Sequence, residues 1–192
     1  MQKQTMINEL PHKNGYIFTK DAKGKRNLFN KLNELIEEGL VEKLKPGLYK
    51  IPELATLNHW QEISLMYPKG VICLTSASAY YNLTTYMPHK IHLAIGQKSK
   101  MKTEDYPPVK LYYWTDKYFK QHVVNKDEVR IYSVERTVCD IVRIYRNSDV
   151  DLVKEVAKEY LKRKDKNIAL LMKTASEIDV EDKVREVVEL LV

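Results

Sequence analysis

What this chain has little of narrows its chemistry first. Six glycines in 192 residues are few for a nucleotide-binding enzyme, and none forms a phosphate-cradling loop. The two cysteines, Cys73 and Cys139, sit singly inside apolar segments, which excludes a paired zinc site and a secreted disulfide framework. Both are expected to be reduced core residues. Five scattered histidines form no HExxH pattern. His89 and His92, at a strand entrance, are spaced to point to opposite faces rather than to share a metal. No nucleophile elbow is present. No run approaches the ~20 consecutive apolar residues of a bilayer span, and Met1 to Glu9 lacks a signal-peptide apolar core. A cytoplasmic chain with no membrane partner is expected, and nothing calls for a cofactor, a metal or a catalytic residue.

The chain does have material for folding, with 44% hydrophobic and 30% charged residues. Its length suits a small module followed by a larger domain, and we place the boundary between residues 1–52 and 53–192. The net charge of +6 is unevenly spread. Residues 1–52 carry ten Lys or Arg against six Asp or Glu, or +4, and the other 140 residues carry 22 against 20, or +2. The basic excess lies in the first quarter.

That quarter has a recognisable order. Tyr16-Ile17-Phe18-Thr19 is a short strand-like run leading into Lys20-Asp21-Ala22. KRNLFNKLNELIEEG then repeats apolar residues at helical spacing and stops at Gly39. A helical projection puts Leu28, Phe29, Leu32, Leu35 and Ile36 on one side, and Arg26, Asn27, Asn30, Asn33 and Glu34 on the other. Asn can bond adenine bidentately and Arg guanine in the major groove, so Arg26, Asn27 and Asn30 are candidate base readers. Lys23, Lys25 and Lys31 extend the basic set. A hairpin follows, Leu40 to Lys45 turning at Pro46-Gly47 into Leu48 to Ile51. Its Lys43, Lys45 and Lys50 are candidate phosphate contacts. A basic helix face alone is commonly just solvated; helix and hairpin together predict a winged helix-turn-helix. Glu34, Glu37 and Glu38 crowd the later turns and keep open a winged helix that contacts only protein.

The remainder predicts a mixed α/β domain. Val71 to Leu74 resembles a buried strand, with Thr75 capping a helix through Leu83. Ile91 to Ile95 and Val109 to Tyr113 alternate as two half-exposed strands, joined by the polar segment GQKSKMKTEDYPP. Apolar residues then recur at i, i+3, i+4, i+7 from Val138, Ile168 and Val184, and Val153 to Leu161 continues the pattern. The C-terminal third is therefore helical, and its last helix could face a partner or a second copy of the chain. From Lys90 to Arg130, nine Lys or Arg stand against five acids with interleaved Tyr and Trp. This is either a stacking surface for nucleic acid or a half-buried sheet with a solvated face. Glu135, Arg136 and Asp140 form the best chemical cluster; Arg136 and Asp140, at i, i+4, can simply pair.

In order, KPGLYKIP at residues 45–52, the TSASA helix start at 75–79, the strand HKIHLAI and ERTVCD at 135–140 resemble the AbiE-type (AbiEi) antitoxin and transcriptional-regulator family over nearly the full length. Against fuller versions of the domain, the first helix is short or incomplete. The resemblance implies an autorepressor that binds double-stranded DNA at inverted repeats upstream of its own operon. It also implies an antitoxin of a type IV toxin-antitoxin system in phage defence by abortive infection. That antitoxin counteracts a nucleotidyltransferase-like toxin with which it need not form a stable complex. The alternative is a protein-binding or nucleotide-handling second domain acting on the toxin, with the winged helix used only for operon control.

Overall fold

The structure, a computed structural model, describes residues 7, 10–22 and 26–191. It is mixed α/β, with eight α-helices and two sheets among the described residues. No helix described is long and apolar enough to cross a membrane. The chain divides into two compact units, Met1–Met66 and Tyr67–Val192.

The first unit runs β1 (Tyr16–Phe18), a 3-10 turn, α1 (Arg26–Glu37), β2 (Glu42–Lys45), β3 (Leu48–Lys50), a second 3-10 turn and α2 (His59–Met66). Its antiparallel sheet has the order β1-β3-β2, with Tyr16 opposite Lys50 and Lys43 opposite Tyr49. Leu28, Leu32 and Leu35 from α1 meet Ile17, Val41, Tyr49 and Ile51 in one core, joined by Ile7 and Leu10. Both belong to the segment before Lys13 expected to hold the first helix, of which residues 1–6, 8 and 9 lie outside the described residues. Gly15 is indispensable to this packing. Its φ is +82, and a Cβ there would stand 2.5 Å from the Leu54 and Ala55 backbone.

The expected boundary after Pro52 differs from this division, because α2 belongs to the first unit. Glu62 on α2 accepts a 2.6 Å bond from the Tyr16 hydroxyl and pairs with Lys50 at 2.7 Å. The Met66 carbonyl accepts from Lys45 Nζ. The polar side chains of the hairpin thus draw α2 back onto the first sheet.

The second unit runs β4 (Val71–Ile72), α3 (Leu74–Tyr80), β5 (Ile91–Gly96), β6 (Val109–Trp114), α4 (Asp116–Lys120), β7 (Val123–Lys126), β8 (Val129–Tyr132), α5 (Val134–Tyr145), α6 (Val150–Lys162), α7 (Ile168–Glu177) and α8 (Glu181–Glu189). Its sheet order is β6-β5-β4-β8-β7, parallel at β5·β6 and β4·β8 and antiparallel elsewhere. β6 is an edge strand and half-exposed as expected, but β5 is buried along its whole length. Strands on both sides of β5 and helices over it leave no solvated face, so its alternation of polar and apolar residues reports hydrogen bonding rather than exposure.

Helix α5 is the axis of the helical third and packs against α3, α6, α7 and α8. Ser133, Asp149 and Asn167 cap α5, α6 and α7 by accepting from backbone amides. On α8, Val184 is buried and Val187 and Val188 pack partly against the same core; the exposed apolar residue there is Leu190, 77% accessible.

Candidate functional site

Helix α1 forms because its leucines recur on one face, and it ends because Gly39 enters the left-handed region at φ +72. There the amides of Gly39 and Leu40 close on the Ile36 and Leu35 carbonyls at 3.0 and 2.9 Å. The opposite face presents Asn27, Asn30 and Asn33 to solvent. No acid occupies the first turn, so nothing there opposes an approaching phosphate. Arg26 begins the helix, but its side chain, like all of Lys23 and Lys25, lies outside the described residues. Lys31 is half-buried and engaged within the protein. Phe29 departs from the expected pattern: it is 52% exposed, off the arc set by Leu28, Leu32 and Leu35.

The three hairpin lysines do not act together. Lys43 is exposed on β2, a position suited to a phosphate. Lys50 is committed to Glu62 and Lys45 to the Met66 carbonyl, so both ammonium groups are held on the α2 side.

In the second unit, the expected cluster separates into two. Arg136 is wholly buried, with Nε donating to Asp140 Oδ2 at 2.8 Å, Nη2 to the Tyr118 carbonyl at 3.0 Å and Nη1 to the Gln121 carbonyl at 3.3 Å. Arg143 Nη2 lies 2.8 Å from the other Asp140 oxygen. The two guanidiniums stand 5.2 and 4.9 Å from the centre of the Trp114 ring, and Arg136 also lies 4.7 Å from that of Tyr132. Burial pushes the Asp140 carboxyl up, against the pull of Arg136 and then Arg143. Glu135 points elsewhere and accepts a long 3.3 Å bond from the Tyr160 hydroxyl. Arg136 and Asp140 are both fully buried, and Arg136 joins the α4–β7 connection to α5.

One opening of this unit is a cleft of about 520 Å³ lined by Thr75, Tyr86, His92, Tyr145, Asp149, Asp151, Leu152 and Glu155. Thr75 does not cap α3, whose N-cap is Cys73. Its hydroxyl lies 2.9 Å from His92 Nδ1, while the His92 amide donates to Ser76 Oγ at 2.9 Å. Burial, helped by the charge of Lys110, lowers the His92 pKa to about 4 from 6.5. The unfolded chain therefore binds a proton that the folded chain refuses between those values. Stability from this group is complete above about pH 6.5 and is lost as pH falls towards 4. Between pH 7.5 and pH 5 the expected loss is about 2 kcal/mol, and His92→Gln should remove this part of the loss. Urea unfolding at both pH values measures it; equal acid sensitivity in the variant would refute the assignment.

Among the described residues, no group of three or more His, Cys, Asp or Glu side chains is gathered that could hold a metal ion. Cys73 and Cys139 are free and buried. The partners missed by sequence reading are Trp114 and Arg143. Arg143, at i+3 from Asp140, was within reach of the spacing argument, whereas Trp114 on β6 is brought there only by the sheet. No family model matches the sequence, and a search of curated proteins finds no match.

Proposed function

We propose that this chain is a sequence-specific DNA-binding autorepressor and antitoxin of the AbiE type, a non-enzymatic regulator that counteracts a nucleotidyltransferase-like toxin. The observation carrying the DNA-binding half is the exposed row Asn27, Asn30 and Asn33 on a helix with no acid in its first turn. That helix is followed directly by a β2–β3 hairpin in a β1-β3-β2 sheet. This order supports the winged helix-turn-helix reading, in which the helix enters the major groove and the wing meets phosphate. Inverted repeats upstream of the chain's own operon are the target this reading names. The antitoxin half rests on the ordered segments that resemble the AbiE-type family.

A salt titration of binding to the upstream DNA, beside a scrambled duplex of equal length, tests the first half. Preference that survives near-physiological salt supports it; equal, salt-labile binding to both duplexes refutes it. In the same assay Lys43→Ala should reduce the magnitude of the salt slope by about 1. Lys50→Ala should leave the slope unchanged, because its ammonium is already paired with Glu62. A slope unaltered by Lys43→Ala would remove the wing from the interface.

For the second half, the full chain carrying Asn27→Ala, Asn30→Ala and Asn33→Ala should lose repression yet still rescue cells that express the toxin. Loss of both would tie neutralisation to DNA binding. The cleft lined by Thr75, His92, Asp149, Asp151 and Glu155 is the place to test one second reading, a nucleotide-handling second unit. Nucleotide binding by the purified chain, abolished by His92→Phe, would favour it over a purely regulatory role.

A further inference from the structure

Phe29 lies at the edge of the buried arc of α1, next to Ile36 in projection, yet it is 52% exposed. A phenyl group half in water forgoes burial worth several methylenes, and a single exposed ring carries no meaning by itself. Its neighbours give it one. At about 100° per residue, Phe29, Asn33 and Asn30 fall within a wedge of about 100° over the first two turns, all three exposed, and exposed Glu37 enters the same wedge one turn later. From Arg26 to Asn33 the helix carries no acid; the first is Glu34.

An apolar protein surface covering this wedge would strip water from amides whose donors and acceptors it could not satisfy. The edge of an A·T pair satisfies both kinds of group. Adenine N6 and N7 take an Asn amide bidentately, and the C5-methyl of thymine projects into the same groove as an apolar contact. Resting on the DNA-binding reading above, we infer that Phe29 reads a thymine methyl beside an adenine read by Asn30 or Asn33. Each half-site of the operator then contains A·T pairs at the position facing the first two turns of α1. Phe29 supplies specificity rather than anchorage, since it offers phosphate nothing.

Thymine-to-uracil replacement removes only the methyl and keeps every base-pairing and hydrogen-bonding group. The upstream DNA, with thymines replaced one at a time, is titrated with the full wild-type chain and with Phe29→Ala and Phe29→Leu, beside a scrambled duplex. One replacement per half-site should weaken wild-type binding about fourfold, the worth of one buried methyl. The same replacement should have no effect on Phe29→Ala and a retained effect on Phe29→Leu. Preference for the upstream DNA with no uracil-sensitive position, or with sensitivity undiminished in Phe29→Ala, overturns the Phe29 assignment and leaves the DNA-binding reading standing. Wild-type binding that does not distinguish upstream from scrambled DNA overturns both. Because Phe29 is exposed, both variants should fold, and unchanged unfolding transitions check this independently.

Discussion

Asp140→Ala is expected to destabilise the second unit by about 3–5 kcal/mol, the usual effect of removing one partner of a buried ion pair. The size follows from what is left behind. Arg136 is fully buried, so without the carboxylate its guanidinium faces only the Tyr118 and Gln121 carbonyls and two aromatic rings. Arg143 loses the same partner, and its Nε and Nη2 are buried although the side chain as a whole is partly accessible. The loss should therefore fall on both guanidiniums. Replacing both members by apolar residues, Arg136→Met with Asp140→Leu, should recover part of the stability, because the fully buried guanidinium is no longer stranded. Trp114 lies close to both guanidiniums and reports the transition by its fluorescence once Trp60 is replaced by Phe. A loss under about 1 kcal/mol for Asp140→Ala would show that the cluster is hydrated in solution.

Gly15→Ala should cost the first unit about 2–5 kcal/mol, combining left-handed backbone strain with overpacking. The new methyl would meet backbone atoms of Leu54 and Ala55 at 2.5 Å, and these cannot swing aside as a side chain would. Moving them disturbs the 2.8 Å bond from the Ile51 amide to the Gly15 carbonyl, which fastens the end of β3. Gly39→Ala is the control: its φ is +72, yet nothing lies within 4 Å of the added Cβ. Only the backbone penalty of about 1–2 kcal/mol should appear there. Amide exchange separates the outcomes, since β1 and β3 should lose protection in Gly15→Ala while β4 and β5 keep theirs. Protection retained in β1 would mean that the Leu54 turn yields at little cost.

The helical third was legible because its apolar residues keep strict spacing. Elsewhere the signal failed for identifiable reasons. The β7–β8 hairpin turns at Asp127 and Glu128, both at positive φ, without the glycine that normally marks such a turn. β5 reads as half-exposed, but His92 is polar because Thr75 awaits it inside. Phe29 looks like core because a helical projection cannot say how wide the buried arc is. For the candidate site, the asparagine row was visible from spacing alone, whereas the fates of Lys45 and Lys50 were not. Both depend on α2, and a boundary drawn at Pro52 removes from consideration the helix that engages them.

The two thiols of this chain lie within the second unit, Cys73 at the N-cap of α3 and Cys139 in the middle of α5. Burial pushes both well above the ordinary thiol range, so neither offers a thiolate to a reagent while the unit is closed. The chain consequently carries its own selective clock. Alkylation in native buffer advances only when the second unit opens and is silent to every opening of the first, so the breathing of one half can be timed while the other half goes unlabelled.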